Sequence, residues 1–258
     1  VAAITRGAPN CIFFSTSRSI VSDDNTNKSE SSGGQAAAYA EALTSRQLYR
    51  RRHAQWIRVQ EVLSGEGPHA GKHLKVLREA VGKFLPGYKN LRTGEGEEPS
   101  LVLDKGKTTI DVQQLSDGER GTLSLVLDLA RRLSQANPAL SHPLRDGSAV
   151  VLIDELDLHL HPKWQRTVVD QLTRTFPKCQ FIATTHSPQI VASVEPEQVL
   201  LLKDGRVIQA DRTLGLDSNW ILRTLMETDE RPADPNRRVR TVEALINQHS
   251  FKKARTLM

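Results

Sequence analysis

No stretch of this 258-residue chain approaches the roughly 20 uninterrupted apolar residues that a membrane span requires. The opening VAAITRGAPNCIFF also lacks the charged-then-apolar order of a secretion signal. Together these absences set the expectation of a soluble, cytoplasmic protein that makes no membrane contact. Cysteine is equally scarce. Cys11 and Cys179 lie in the apolar runs NCIFF and KCQFI with no second Cys or His at metal-ligand spacing, which argues against a disulfide framework and a zinc site and leaves two core thiols. Neither sign of charge dominates: 35 Lys and Arg stand against 30 Asp and Glu, a net +5 that favours an anionic partner without defining one.

What is present divides the chain. Cys11 to Phe14 is an apolar run that predicts a buried strand within a first segment, residues 1–20. Residues 21–35, rich in Ser, Asn, Asp and Gly, read as an exposed flexible loop. From Ala36 to Leu91, residues such as Leu48, Trp56, Val59, Leu74, Leu77, Val81 and Phe84 recur mostly at spacings of three and four, which predicts a helical insertion over residues 36–92. Eleven Lys or Arg and three acids fall between Arg46 and Arg92, a local excess of +8. Such a run is either the solvated side of helices or the footprint of a phosphate backbone, and Arg46, Arg50, Arg51, Arg52 and Arg58 are its candidates for DNA or RNA contact.

The segment 93–214 alternates strand and helix signals. Leu101 to Leu103 and Thr108 to Val112 predict a hairpin, and an amphipathic helix follows Gly118 and stops near Asn137-Pro138. AVVLI at 149–153 and QFIAT at 180–184 predict buried strands joined by a helix starting at Pro162, a βαβ unit. A second hairpin is expected around Asp204-Gly205, and 215–258 reads as a charged helical tail. The fold class is α/β: a mainly parallel sheet flanked by helices, with a helical insertion and a hairpin contribution.

Three groups of residues carry chemistry. The apolar run VVLI ends in Asp154-Glu155, two adjacent carboxylates at the carboxyl edge of a strand, where ligands of open α/β sheets bind. One acid can hold a Mg²⁺ that bridges nucleotide phosphates while the other orients or deprotonates a water, although acids also commonly begin loops. The next strand runs into Thr184-Thr185-His186-Ser187-Pro188, which places His186 along the same edge. Third, Leu115-Ser116-Asp117-Gly118-Glu119 opens a helix, where free backbone N–H groups and the dipole favour a phosphate. Ser116 with Glu119 is equally a capping box, and both readings can hold together.

LSDGE resembles the signature of ABC-type ATPases, VVLIDE their Walker B strand with its catalytic Glu, and TTHSP their switch-histidine loop. DELDLHLHP is similar to the SMC/RecF/OLD-like branch, in particular to stand-alone predicted ATP-binding proteins and to Septu- and retron-associated anti-phage ATPases. The resemblance implies an ABC-ATPase-like P-loop fold, with residues 93–214 as the ATPase core. It implies ATP and Mg²⁺ as cofactors, Asp154 on Mg²⁺, Glu155 as general base and His186 at the γ-phosphate. It further implies that Leu115, Ser116, Asp117, Gly118 and Glu119 contact the nucleotide of the opposite head of a homodimer. Leu160-His161 stands where transporters carry Leu-Asp; the resemblance implies His161 as an ATP-binding residue and leaves open whether His159 or His161 senses the neighbouring subunit.

A phosphate-cradling loop of the form Gly, four residues, Gly-Lys-Ser/Thr is missing. Gly106-Lys107-Thr108 closes correctly but has Leu101 at the first Gly and a hairpin around it, and Gly71-Lys72-His73 lacks both the hydroxyl and the upstream glycine. In the family this motif precedes the signature, so the expectation is that the first strands and the P-loop lie upstream of Val1. No nuclease cluster of the HNH or OLD type is visible, so any cutting falls to a partner nuclease. The resemblance implies an anti-phage ATPase that regulates such a partner; the rivals are a DNA-repair ATPase of RecF or SMC type and a non-hydrolysing nucleotide-gated scaffold.

Overall fold

A computed structural model describes residues 10–16, 38–39, 42–43, 50–65, 68–96, 100–228, 233–251, 253 and 255. The expected loop at 21–35 and Arg46 lie outside them. In chain order the described elements are β1 (Asn10–Phe14), α1 (Arg50–Leu63), α2 (Pro68–Phe84), β2 (Tyr88–Thr93), β3 (Leu101–Lys105), β4 (Thr108–Asp111), α3 (Asp117–Ala136), α4 (Pro143–Asp146), β5 (Ala149–Ile153), α5 (Pro162–Gln165), α6 (Val168–Thr175), β6 (Cys179–Ala183), α7 (Pro188–Val191), β7 (Leu200–Lys203), β8 (Arg206–Gln209), α8 (Ser218–Thr224) and α9 (Ala233–Asn247). They fall into two compact units, Val1–His186 and Ser187–Met258. No described helix is long and apolar enough to cross a membrane.

The first unit is built on a parallel sheet in the order β1-β5-β6, with Phe14, Ile153 and Ala183 in register at its carboxyl edge. Its central strand AVVLI buries Ala149, Val151 and Ile153 on one face and leaves Val150 and Leu152 half-buried on the other. Helix α3 places Leu123, Val126, Leu127, Ala130 and Leu133 in the core. This is the α/β architecture with a helix-flanked parallel sheet that the sequence implies. The antiparallel strands form sheets of their own, β2-β3-β4 here and β7-β8 in the second unit.

Two details depart from the sequence expectation. Helix α2 ends at Phe84 rather than running to Leu91, because Pro86 cannot continue the ladder and Gly87 turns the chain at φ +90°. Tyr88–Thr93 is then a strand. The segment from Pro162 also breaks into α5 and α6 instead of forming one helix, with Thr167 as the second N-cap. The two rejected glycine-lysine pairs are where a phosphate loop cannot be: Gly106 sits in the β3–β4 turn at φ +62°, and Gly71-Lys72 lies inside α2.

Helix α3 carries a buried ion cluster. Asp128 accepts from Arg131 Nη2 and Arg132 Nε, both at 2.7 Å, and His53 of α1 lies 3.7 Å away. Arg132 also donates to the carbonyl of Ala38 at 2.7 Å, so one cluster ties α3 to α1 and to an earlier piece of chain. Burial works against the Asp128 carboxylate, but the charges of Arg131 and Arg132 and the His53 contact outweigh it and hold its pKa well below the usual carboxylate range. In the second unit Val191, Val199, Ala210 and Ile221 form the core, with Trp220 packed against it.

Removing one partner of such a cluster leaves a buried charge unpaired, so Asp128→Asn is expected to cost about 3–5 kcal/mol in urea unfolding. Because the folded pKa is depressed, the Asp128 contribution is fully present above the unfolded carboxylate value of about 3.9 and is lost as pH falls through the lower folded value. The variant's deficit relative to the parent is therefore expected to shrink only in strong acid. Burial likewise pushes the Cys179 thiol up to about 11. Its alkylation by iodoacetamide at pH 8 is expected to be slow in the native protein and fast in urea, read by peptide mass mapping.

Candidate nucleotide site

The parallel pairing of β5 and β6 carries on one residue past the strands. Thr184 N–H donates to the Ile153 carbonyl at 2.9 Å, and Leu156 N–H returns a bond to the Thr184 carbonyl at 2.8 Å. On the other side, Asp154 N–H donates to the Phe14 carbonyl at 2.8 Å. Between these fixed points the side chain of Thr184 links both carboxylate residues: its hydroxyl donates to Asp154 Oδ1 at 2.7 Å and accepts from the Glu155 N–H at 2.8 Å. Glu155 is held at φ +48°, a conformation that costs a non-glycine residue about 1–3 kcal/mol and that concentrates at functional sites.

Two residues on, Asp157 accepts from the Thr185 hydroxyl at 2.5 Å and from the His186 N–H at 3.1 Å. The backbone of His186 is thereby tied to the loop that carries Asp154 and Glu155, and the exposed imidazole stands at the same sheet edge. Thr184 and Asp157 do not stand out in the sequence as site residues. Both lie inside motifs that do, TTHSP and DELDLHLHP, but their bonds join residues 28 to 30 positions apart and are set by the sheet register.

Helix α3 begins beside this loop. Ser116 is its N-cap, with both halves of the capping box formed: Glu119 N–H donates to Ser116 Oγ, and Glu119 Oε2 accepts from the Ser116 N–H and hydroxyl at 2.9 Å each. Glu119 also accepts from Tyr88 OH at 2.9 Å, and Lys105 donates to that phenol at 3.0 Å. Burial acts to raise the Glu119 pKa, but the Ser116 and Tyr88 hydrogen bonds and the Lys105 charge prevail and lower it. Leu115 is buried, so its side chain belongs to the core, while Ser116 and Asp117 are exposed and Asp117 pairs with Arg120.

Gly118 is buried against the loop after β5. A Cβ built there would lie 2.4 Å from the carbonyl oxygen of His159, itself at φ +61°. The close approach that this glycine permits is to the chain's own backbone. His161 is exposed and caps α5, its Nδ1 accepting from the Lys163 N–H at 3.2 Å. Of the nucleic-acid candidates, Arg58 is exposed on α1, and Arg50, Arg51 and Arg52 open that helix.

The donor set fits a phosphate-bridging Mg²⁺. Such an ion takes one or two protein carboxylates and completes its octahedron with phosphate oxygens and water. Asp154 at a strand end, oriented by a hydroxyl, would supply one carboxylate. Among the described residues no group of three or more His, Cys, Asp or Glu is placed to hold a metal ion.

The family described as "AAA domain, putative AbiEii toxin, Type IV TA system" matches residues 43–192. Over 164 residues the chain is 42% identical to a retron Ec83 probable ATPase of Escherichia coli, covering 63% of this chain and 30% of that protein. Over 130 residues it is 41% identical to a retron Vc95 probable ATPase of Vibrio cholerae serotype O1 biovar El Tor, covering 50% and 25%. A Septu protein PtuA of Bacillus mycoides (strain KBAB4) is 35% identical over 107 residues, 42% of this chain and 14% of that one. The chain thus spans less than a third of the length of these relatives. A solved SMC ATPase structure aligns with TM-score 0.43 and 19% identity, covering 68% of this chain and 96% of that one.

The Gly118 contact makes a paired expectation. Gly118→Ala forces backbone apart and is expected to destabilise the protein by about 1–3 kcal/mol in thermal unfolding. Gly121→Ala, one turn along the same helix with nothing within 4 Å, is expected to be neutral or stabilising by up to about 1 kcal/mol.

Proposed function

The chain belongs to this AAA-domain family, and we propose that it carries the hydrolytic edge of an ATP-dependent anti-phage defence protein. The observation that supports the reading most is the Asp154–Thr184–Glu155 bridge: two adjacent carboxylate residues at a parallel-sheet edge, fixed by one hydroxyl, with Glu155 in a strained backbone conformation. Asp154 would hold the Mg²⁺, which would supply neutralisation of charge on the transferred phosphoryl group. Glu155 orients and deprotonates the attacking water, and His186, anchored through Asp157, contacts the γ-phosphate. The exposed cap at Ser116, with the N–H groups that open α3, meets the nucleotide of a second copy in a homodimer of heads.

The defence role is supported by the retron and Septu relatives. As a member of such a system the protein regulates a partner nuclease of HNH type through its nucleotide state. In the full-length protein, Glu155→Gln is expected to lower steady-state phosphate release by about 10²–10⁴-fold while ATP binding persists. Turnover equal to that of the parent would remove Glu155 as the base and turn the reading toward a nucleotide-gated scaffold.

A further inference from the structure

The basic residues of the helical segment are not spread evenly over its surface. Gly71, Lys75, Arg78 and Gly82 follow one another at spacings of four, three and four, so they share one face of α2. With Lys89 and Asn90 of β2 they line a groove of about 500 Å³. Arg78 is fixed there, its Nε donating to the Leu91 carbonyl at 2.9 Å. One carboxylate also lines the groove, Glu79, and Lys83 pairs with it at 2.9 Å. Lys75 and Lys89 are exposed and make no ion pair among the described residues. A side chain at Gly71 or Gly82 would meet nothing within 4 Å, so neither glycine is required by packing, and both leave the helix face open.

We propose that this groove takes the phosphodiester backbone of a nucleic acid, bound by charge and without base readout. Lysine and arginine at phosphate oxygens dominate such contacts. A protein partner would ordinarily be anchored by an aromatic side chain. The one aromatic of the groove, Tyr88, is buried, and its hydroxyl is committed to Glu119. The proposed contact lies on α2 and β2. It does not depend on ATP hydrolysis, and its test is a binding measurement.

The test uses the full-length protein and a fluorescein-labelled, mixed-sequence DNA, single-stranded and duplex, titrated by anisotropy at increasing salt. Lys75→Ala/Lys89→Ala is expected to weaken binding roughly tenfold at low salt and to reduce the slope of log affinity against log salt by about two. Lys107→Ala/Lys178→Ala removes the same charge at exposed positions outside the groove and is expected to leave both quantities unchanged. Matched thermal melting of the two variants shows that each is folded. The proposal is overturned if the parent does not bind the DNA, if the groove variant binds as the parent does, or if the control pair weakens binding equally. Displacement of the DNA by polyglutamate as effectively as by unlabelled DNA overturns it as well, in favour of an acidic protein.

Discussion

The parallel register of β5 with β6 governs the rest of the site. Once Ile153 is paired with Ala183, the next residues of both strands are brought side by side, and Asp154 must face Thr184. The backbone bonds on either side of Thr184 then fix the direction of the loop after β5, and Asp157 can reach Thr185 and His186 only from that position. A shift of one residue would turn every side chain of β6 to the opposite face and exchange Thr184 for Thr185 beneath the carboxylates. The central strand is itself fixed in the core, where Ala149, Val151 and Ile153 on one face of β5 are each nearly fully buried.

The strain at Glu155 follows from the same constraint. The chain must leave the sheet immediately after Asp154, yet Leu156 has to donate back to Thr184, and a left-handed residue between them satisfies both demands. A glycine would adopt that conformation at lower cost. The presence of a carboxylate there places its side chain under the control of the backbone, and the Thr184 hydroxyl completes that control by accepting the Glu155 N–H.

The sheet edge that carries Asp154 and Glu155 was legible in the sequence because a buried parallel strand reads as an almost continuous apolar run, and the two acids that follow VVLI mark where that run leaves the sheet. Strand β2 was not legible, for a specific reason. Phe84, Tyr88 and Leu91 are buried at spacings of four and three, the period of a helix. A register shift between Lys89 and Arg92 puts two exposed residues between the buried Tyr88 and Leu91, so the alternation that marks a strand is absent. The Pro86-Gly87 pair was the available signal. The bonds of Thr184 and Asp157 could not be read at all, since they depend on the alignment of two strands separated by a helical crossover.

Strand β2 in turn braces the start of α3. Tyr88 faces Lys105 across the β2–β3 pair, and the lysine holds the phenol whose hydrogen bond fixes Glu119. Glu119 fixes the Ser116 hydroxyl, and Gly118 fixes the helix end against His159. The antiparallel sheet and the loop after β5 therefore grip the same helix terminus from different directions. Ser116 has only one hydroxyl proton, and Glu119 holds it as an ionised acceptor. Any group approaching this helix end would have to compete with Glu119 for the Ser116 hydroxyl. The Lys105–Tyr88–Glu119 chain of hydrogen bonds holds Glu119 in place, so the cap hydroxyl stays engaged within the protein.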